Sequence, residues 1–504
     1  MELEILSFLI LFSCLFLTLI IWKKINKDSN PPPGPWKFPL LGNIPHLLGG
    51  LPHQRLRDLA KVYGPVMSIQ QGQIPAVVFS SAETANQVLK IQGDLFNQRP
   101  QVLAGEIICY NNLDMLFAPY GDYWRQIRKI TALEFLSSKR VLSSRSVREE
   151  EISKFIKLLG SKGGSSVNLP RIISDLTNSI LLIMILGKNG ESEQIILPML
   201  ENVQKVVIAG AASDLFPSLK FLLDFLSGAK SRMQKVQKDT DNVLDDIINE
   251  HKNKTSFGDN FLDVVLNLQK NGDLELTNES IKANIVQMFL GGSETTSKVL
   301  EWSIAELMKN PKVMRKTQEE VRRVFGEKGK VEESRIHELK YLKLVIKETL
   351  RLHPPATLIV RECKERTKID GYHIDPKTTV LINVWAIGRD PIVWTKPEKF
   401  YPERFEDSQI DYRGANMELI PFGAGKRMCP GITLGITYME LLLANLFFHF
   451  DWKLADGITP ANLDMTEILH GTLKRKEDLN MIPISFSPLS QDQAKKITSP
   501  KFME

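Results

Sequence analysis

Near the C-terminal end runs Pro421-Phe422-Gly423-Ala424-Gly425-Lys426-Arg427-Met428-Cys429-Pro430-Gly431, and an apolar run from Ile432 through Phe450 follows at once. Cys429 is its reactive point. A cysteine among glycines and Pro430, at the mouth of a helix-like segment, sits where backbone N–H groups and the positive end of a helix dipole stabilise a thiolate. Such a sulfur is a good metal ligand. No second cysteine or histidine lies at zinc-site spacing, since Cys363 is far upstream and His449 too far along the next helix. One thiolate alone suggests haem iron; the alternative is a buried core thiol among ordinary turn glycines.

A second chemical signal is Gly291-Gly292-Ser293-Glu294-Thr295-Thr296, in the middle of a helical stretch that begins near Thr277 and ends before Pro311. Each glycine costs a helix roughly 1 kcal/mol, so something should offset it. Glycine lets a flat cofactor and a diatomic ligand approach the backbone. The Thr295 hydroxyl can hold dioxygen in a water-linked path to which Glu294 supplies protons. The competing reading is a kinked, solvent-touching helix. Elsewhere, Trp124 and Arg128 share one helix face, with Arg125 and Lys129 on a neighbouring one, and Glu348 and Arg351 lie three apart before Pro354-Pro355. A Glu-x-x-Arg pair is by default a surface ion pair of little energetic value.

These residues need elements to position them. Val66 to Phe79 reads as two short strands around Gly72, and Ser81 opens a helix to about Ile91. Helical spacing recurs over 149–159, 196–209, 230–252 and 310–325, which predicts a mainly helical body with a small sheet and no internal repeat. The 504 residues suffice for three domains, but 43% hydrophobic content without a long low-complexity linker also permits one large core. A net charge of +5 is mild, and no basic run is interleaved with aromatics, so nucleic acid is set aside. Cys14, Cys109, Cys363 and Cys429 have no framework spacing, which argues for a reducing compartment. No Gly-x-Gly-x-x-Gly follows a strand, so the chain itself binds no nicotinamide or flavin.

The first residues are an address. From Ile5 to Trp22 the chain is nearly unbroken apolar sequence, long enough to span a thin bilayer, and Lys23, Lys24 and Lys27 follow. The charge lies after the apolar run and no small-x-small site precedes it, which favours a retained anchor over a cleaved signal peptide. The stiff segment Pro31-Pro32-Pro33-Gly34-Pro35-Trp36 then separates anchor from body. The expected organisation is an anchor with its basic stop over 1–30, one catalytic domain over 31–486 and a polar tail over 487–504. With the lysines and the body cytosolic, the sequons at Asn253 and Asn278 should carry no glycan.

The pattern Phe422-x-x-Gly425-x-Arg427-x-Cys429-x-Gly431 resembles the haem-ligand loop of the cytochrome P-450 monooxygenases. The resemblance implies the cytochrome P-450 fold, mainly α with a small β-sheet, a triangular helical body with haem b between the long central helix and the cysteine loop. Cys429 would be the axial ligand, Phe422 the shield of the sulfur, Gly425 and Gly431 the tight turns beside the macrocycle, and Arg427 a propionate partner. By the same resemblance Trp124, Arg128 and Arg361 bind propionates, although Val360 stands where proline is frequent. Gly291 to Thr296 is similar to the oxygen-activation motif with Gly291 for its usual alanine, giving Glu294 the acid's role and Thr295 the alcohol's. Pro402-Glu403-Arg404-Phe405 adds Arg404 to Glu348 and Arg351 as a buried structural network. Electrons are expected from NADPH through a separate membrane-bound cytochrome P-450 reductase, or a cytochrome b-type donor, at the endoplasmic reticulum. Arg125, Lys129 and Lys426 form a basic patch that could meet an acidic donor; a solvated face is the alternative.

Segments that line the distal pocket in that family are here apolar and small. Candidate contacts are Ala209, Val286, Leu290, Gly291, Thr357, Leu358, His470 and Thr472, walls that suit a hydrocarbon-like substrate held by shape with few polar anchors. His470 is read as hydrogen-bonded at the wall rather than as an iron ligand. Leu51-Pro52-His53, Leu56-Arg57-Asp58-Leu59-Ala60 and Ala104-Gly105-Glu106 look closest to plant members that oxidise terpenoids, especially macrocyclic, casbene-type diterpenes. The expected reaction inserts one oxygen atom of dioxygen into a C–H bond. The alternatives are a monooxygenase of a sesquiterpene or phenolic, a haem-thiolate isomerase or dehydratase, against which Glu294-Thr295 speaks, and a membrane-tethered haem sensor or carrier.

Overall fold

A computed structural model describes residues 30–187, 191–272, 276–455 and 457–486. The anchor segment Ile5–Trp22 and the tail from 487 lie outside the described residues. The long helix predicted from Thr277 to Pro311 spans Asn278–Lys309, with the Thr277 side chain accepting from the Ser280 N–H at its start and Pro311 opening the next helix, Pro311–Phe325. A threonine cap satisfies one of the orphan N–H groups of the first turn, and proline suits the first turn of the helix that follows. The stretches read as helical at 149–159, 196–209 and 230–252 fall within Arg145–Ser161, Glu191–Ala209 and Ala229–Lys252. The helix opened by Ser81 begins as an α-helix over Ala82–Asn86 and widens to a π turn over Gln87–Ile91.

The central helix is buried over most of its length. Against it pack Leu169–Leu186 and Ile432–His449, the latter being the apolar run that follows the cysteine loop. Both are long and apolar enough to cross a membrane by composition, but 61% and 72% of their windows are buried in the protein, where an all-round apolar helix belongs to a core.

The small sheet has four strands in the order Val66–Gln71, Ile74–Phe79, Thr379–Asn383, Leu358–Glu362. The first two form the hairpin predicted around Gly72, whose φ is +62°. Ile74–Phe79 runs parallel to Thr379–Asn383, and Leu358–Glu362 pairs antiparallel to its other side, opposing Arg361 to Val380. A second hairpin, Glu467–His470 with Thr472–Arg475, reaches the central helix from the C-terminal part of the chain. The two apolar helices and the second hairpin therefore converge on the central helix.

Candidate active site

The cysteine loop is shaped by two glycines. Gly423 and Gly425 each have φ of +72°, and a Cβ on Gly425 would stand 2.2 Å from the Leu89 carbonyl oxygen, so no other residue fits there. The Cys429 N–H donates to the Phe422 carbonyl at 2.9 Å and closes the loop. Gly431 differs from expectation: its φ is −84° and its missing Cβ would lie 3.8 Å from Cys429 Sγ, an ordinary contact. It caps the following helix from a turn that other residues could also adopt. Burial pushes the Cys429 thiol up, against the Gly431 N–H and Arg128, which lower it. A metal bound there would add its own charge in favour of the thiolate. The Phe422 ring lies beside the sulfur loop, edge-on to Tyr412 at 5.6 Å.

Across a cavity of about 480 Å³, the central helix presents Gly291, Gly292, Thr295 and Thr296 opposite Phe422, Gly423, Cys429 and Pro430. The helix runs unbroken through its glycines. Gly292 has a packing reason, since a Cβ there would stand 3.1 Å from Leu181 of the neighbouring helix. The Thr295 hydroxyl donates to the Gly291 carbonyl at 2.7 Å, which fixes the side chain at the cavity wall. Glu294, in contrast, is not among the lining residues: its carboxylate accepts from Gln204 Nε2 at 2.7 Å and from Thr472 Oγ1 at 3.0 Å. One residue along a helix is a rotation of about 100°, enough to turn the acid out of the space its neighbour faces.

At one end of the cavity stand Arg99, Arg128, Arg361 and Arg427. Arg99 escaped the sequence reading, because Asn97-Gln98-Arg99-Pro100 has no spacing that marks it. Apart from a long contact of Arg128 Nη1 with Met115 Sδ at 4.0 Å, their hydrogen bonds go to carbonyls: Arg128 Nη2 to Met428 at 2.6 Å, Arg361 Nη1 to Val360 at 2.9 Å, Arg427 Nε to Asn97 at 2.6 Å, and Arg99 Nη1 also to Val360. Arg99 Nε is buried without a partner. Burial drives the Arg361 guanidinium far below its usual range, and burial with neighbouring cations brings Arg427 to about 9 and Arg99, by burial alone, to about 10. Asp114 is the carboxylate nearby, itself pushed up to about 6 by burial and occupied by the Leu116 and Phe117 N–H groups. Four cations with no carboxylate hydrogen-bonded among the described residues fit a bound group carrying carboxylates, as haem does. Trp124 lines this end, but its Nε1 donates to the Met115 carbonyl at 2.9 Å. Its N–H is thus taken, and what it offers is a ring face, 4.7 Å from the Arg427 guanidinium carbon.

Glu348, Arg351 and Arg404 meet away from the cavity. Arg351 is bidentate on the Glu348 carboxylate at 2.7 and 2.8 Å, and Arg404 Nε reaches it at 3.0 Å with the Tyr401 N–H at 2.8 Å. The pair that spacing alone would leave on the surface is fully buried. On the proximal side, Arg125 is paired with Asp122 and Lys426 with Asp94, while Lys129 is exposed.

Of the pocket candidates, Gly291, Leu358 and Thr472 line the cavity. Ala209 and His470 do not, being exposed; Val286 and Thr357 do not, being buried in the core; and Leu290 packs against that core instead. Gln287 and Met288 face in where Val286 and Leu290 were expected, because the helix face is rotated from the one the sequence suggested. The walls also take Ile180, Leu181 and Met184 from the helix Leu169–Leu186.

A cysteine loop closed against a threonine-bearing helix, with unpaired arginines at the cavity's end, is the architecture of a haem-thiolate protein. The chain belongs to the cytochrome P-450 family, whose model matches residues 31–481. It is a monooxygenase with haem as cofactor, and members of its family take electrons from redox-partner reductases and act on hydrophobic substrates. It is 56% identical to cytochrome P-450 726A27 of Euphorbia lathyris over 97% of this chain and 99% of that one. Premnaspirodiene oxygenase of Hyoscyamus muticus and salviol synthase of Salvia pomifera are each 44% identical, over 96% of this chain and 99% and 98% of theirs. A zebra fish cytochrome P-450 solved with progesterone superposes with a TM-score of 0.75 at 22% identity, over 86% of this chain and all of that one, and shares the fold.

Proposed function

We propose that the chain oxidises an apolar plant terpenoid, a macrocyclic diterpene of the casbene type, with Cys429 as axial ligand to haem iron. The observation that carries this reading is the cavity between Cys429 and Thr295, walled by Ile180, Leu181, Met184, Met288, Val299 and Ile359. Such walls orient a hydrocarbon by shape. Arg99, Arg128, Arg361 and Arg427 are the residues to hold the propionates, and Trp124, Phe422, Gly425 and Gly431 form the cradle around them and the sulfur. Bound haem supplies the activation of dioxygen. Thr295 then holds a proton-carrying water at the cavity wall, with Glu294, its neighbour on the helix, as the proton donor. The relatives named as an oxygenase and a synthase support oxidation of specialised metabolites, while the diterpene assignment rests on the segments around Leu51, Leu56 and Ala104.

In the same reading the Ile5–Trp22 segment anchors the protein in the endoplasmic reticulum with its body cytosolic, and NADPH–cytochrome P-450 reductase docks near Arg125, Lys129 and Lys426. The test is the carbon-monoxide difference spectrum of the reduced protein beside Cys429→Ser, followed by turnover with NADPH and reductase on diterpenes, sesquiterpenes and phenolics. A strongly red-shifted Soret band in the parent alone, with product from the diterpenes, is the expected result. An unshifted band sinks the thiolate assignment, and product only from sesquiterpenes or phenolics sinks the substrate.

A further inference from the structure

Three elements meet at the Glu294 carboxylate. Gln204 Nε2, on the helix Glu191–Ala209, donates to Oε2 at 2.7 Å, and Thr472 Oγ1, at the turn of the second hairpin, donates to Oε1 at 3.0 Å. Gly471 and Thr472 line the cavity, so the turn touches whatever fills it. The same turn packs on the helix that carries Gln204: Gly471 has φ of +76°, and a Cβ there would stand 2.8 Å from Ile208 Cγ1. The root of the hairpin is fixed, with Glu467 accepting from Gln54 Nε2 at 3.0 Å and lying 3.3 Å from His353 Nδ1. Thr472 thus reaches both the cavity and the Glu294 carboxylate.

We propose that Gln204 and Thr472 form a latch that holds Glu294 out of the cavity until substrate displaces the Gly471–Thr472 turn, which makes both positioning residues for proton delivery. The proposal rests on the reading of Glu294 as proton donor. Both latch groups are neutral, so they orient the carboxylate without cancelling its charge. A hydrogen bond to a carboxylate is stronger than one between two neutral groups, so the two donors together hold the side chain firmly. Released, Glu294 turns toward Thr295, its neighbour on the helix, and each proton it passes on through water is replaced from solvent. Only protons move in that step.

The test uses the membrane-bound holoenzyme with reductase, and it begins without substrate. In that state NADPH electrons that reach dioxygen leave as hydrogen peroxide, one NADPH and one proton per peroxide. A closed latch keeps the leak slow. Gln204→Leu and Thr472→Val each remove one donor and should raise substrate-free NADPH oxidation about tenfold or more, the shift expected from one hydrogen bond to a carboxylate. Thr472→Ser keeps the hydroxyl and should restore the parent rate. Carbon-monoxide difference spectra should match the parent throughout, which shows that the haem site is intact. The increase should vanish when either change is combined with Glu294→Gln, because the latch acts through that carboxylate. A leak that survives Glu294→Gln overturns the latch. So does an unchanged leak in both latch variants beside an altered solvent isotope effect in Glu294→Gln. An unchanged isotope effect on substrate-driven turnover in Glu294→Gln overturns the proton-donor reading, and the latch with it.

Discussion

Replacing Arg361 by leucine should move the haem-bound and haem-free proteins in opposite directions. The residue is 2% exposed, and its hydrogen bonds are to the Val360 carbonyl at 2.9 Å and, weakly, to the Arg427 carbonyl at 3.5 Å. Arg99 also donates to the Val360 oxygen, so that acceptor keeps a partner in the variant. Without a propionate the cation is buried beside Arg99 and Arg427 and opposed by no hydrogen-bonded carboxylate, an arrangement that disfavours the fold. With a propionate it makes a charge-assisted bond of about 1.5–3 kcal/mol, roughly 10- to 150-fold in haem affinity. Arg361→Leu should therefore lose haem faster to a haem-scavenging protein, followed by absorbance. The haem-free variant should unfold at higher urea than the haem-free parent, by on the order of 1 kcal/mol. Equal destabilisation of both forms would refute the reasoning and make Arg361 a structural residue.

Glu348→Gln strips the charge from a carboxylate that serves two buried guanidiniums and the Tyr401 N–H, and should cost about 3–5 kcal/mol in urea unfolding. A loss under about 1 kcal/mol would place the network among ordinary surface pairs. Gly425→Ala puts a Cβ 2.2 Å from the Leu89 oxygen at a φ of +72°, so the thiolate-type carbon-monoxide band should be lost while Gly457→Ala, at an open turn, keeps it. Burial pushes the Glu440 carboxyl up to about 7 against Lys343 and Arg413. The folded state then holds this proton more tightly than the unfolded chain, so the contribution is complete below the ordinary carboxylate range and is lost as pH rises through about 7. Glu440→Gln should match the parent near pH 5 and exceed it near pH 8, by no more than about 3 kcal/mol in urea unfolding.

Local chemistry was legible in the sequence wherever neighbours along the chain decide it. Thr277 and Pro311 bracket the central helix because capping and the proline ring act within one turn, and the glycines of the cysteine loop announced a backbone only glycine adopts. Glu348 and Arg351 meet because three residues make nearly one helical turn. Their burial was decided elsewhere, by Arg404 and the Tyr401 N–H arriving from a distant segment. The cavity is likewise a tertiary object. Arg427 is held by carbonyls of Asn97, Leu116 and Ala118, more than 300 residues away, and the same fold brings in Arg99, which no spacing marked. Periodicity places Glu294 and Thr295 on adjacent faces but cannot say which face meets the cavity; the crossing of Gln204's helix and the Thr472 turn decides that. Ala209 and His470 lie exposed for the same reason, since a side chain reaches a shared cavity only if independently folded elements leave it pointing there. The sequence thus determined the reacting cysteine and its helix, and the packing of segments far apart in the chain decided what surrounds them.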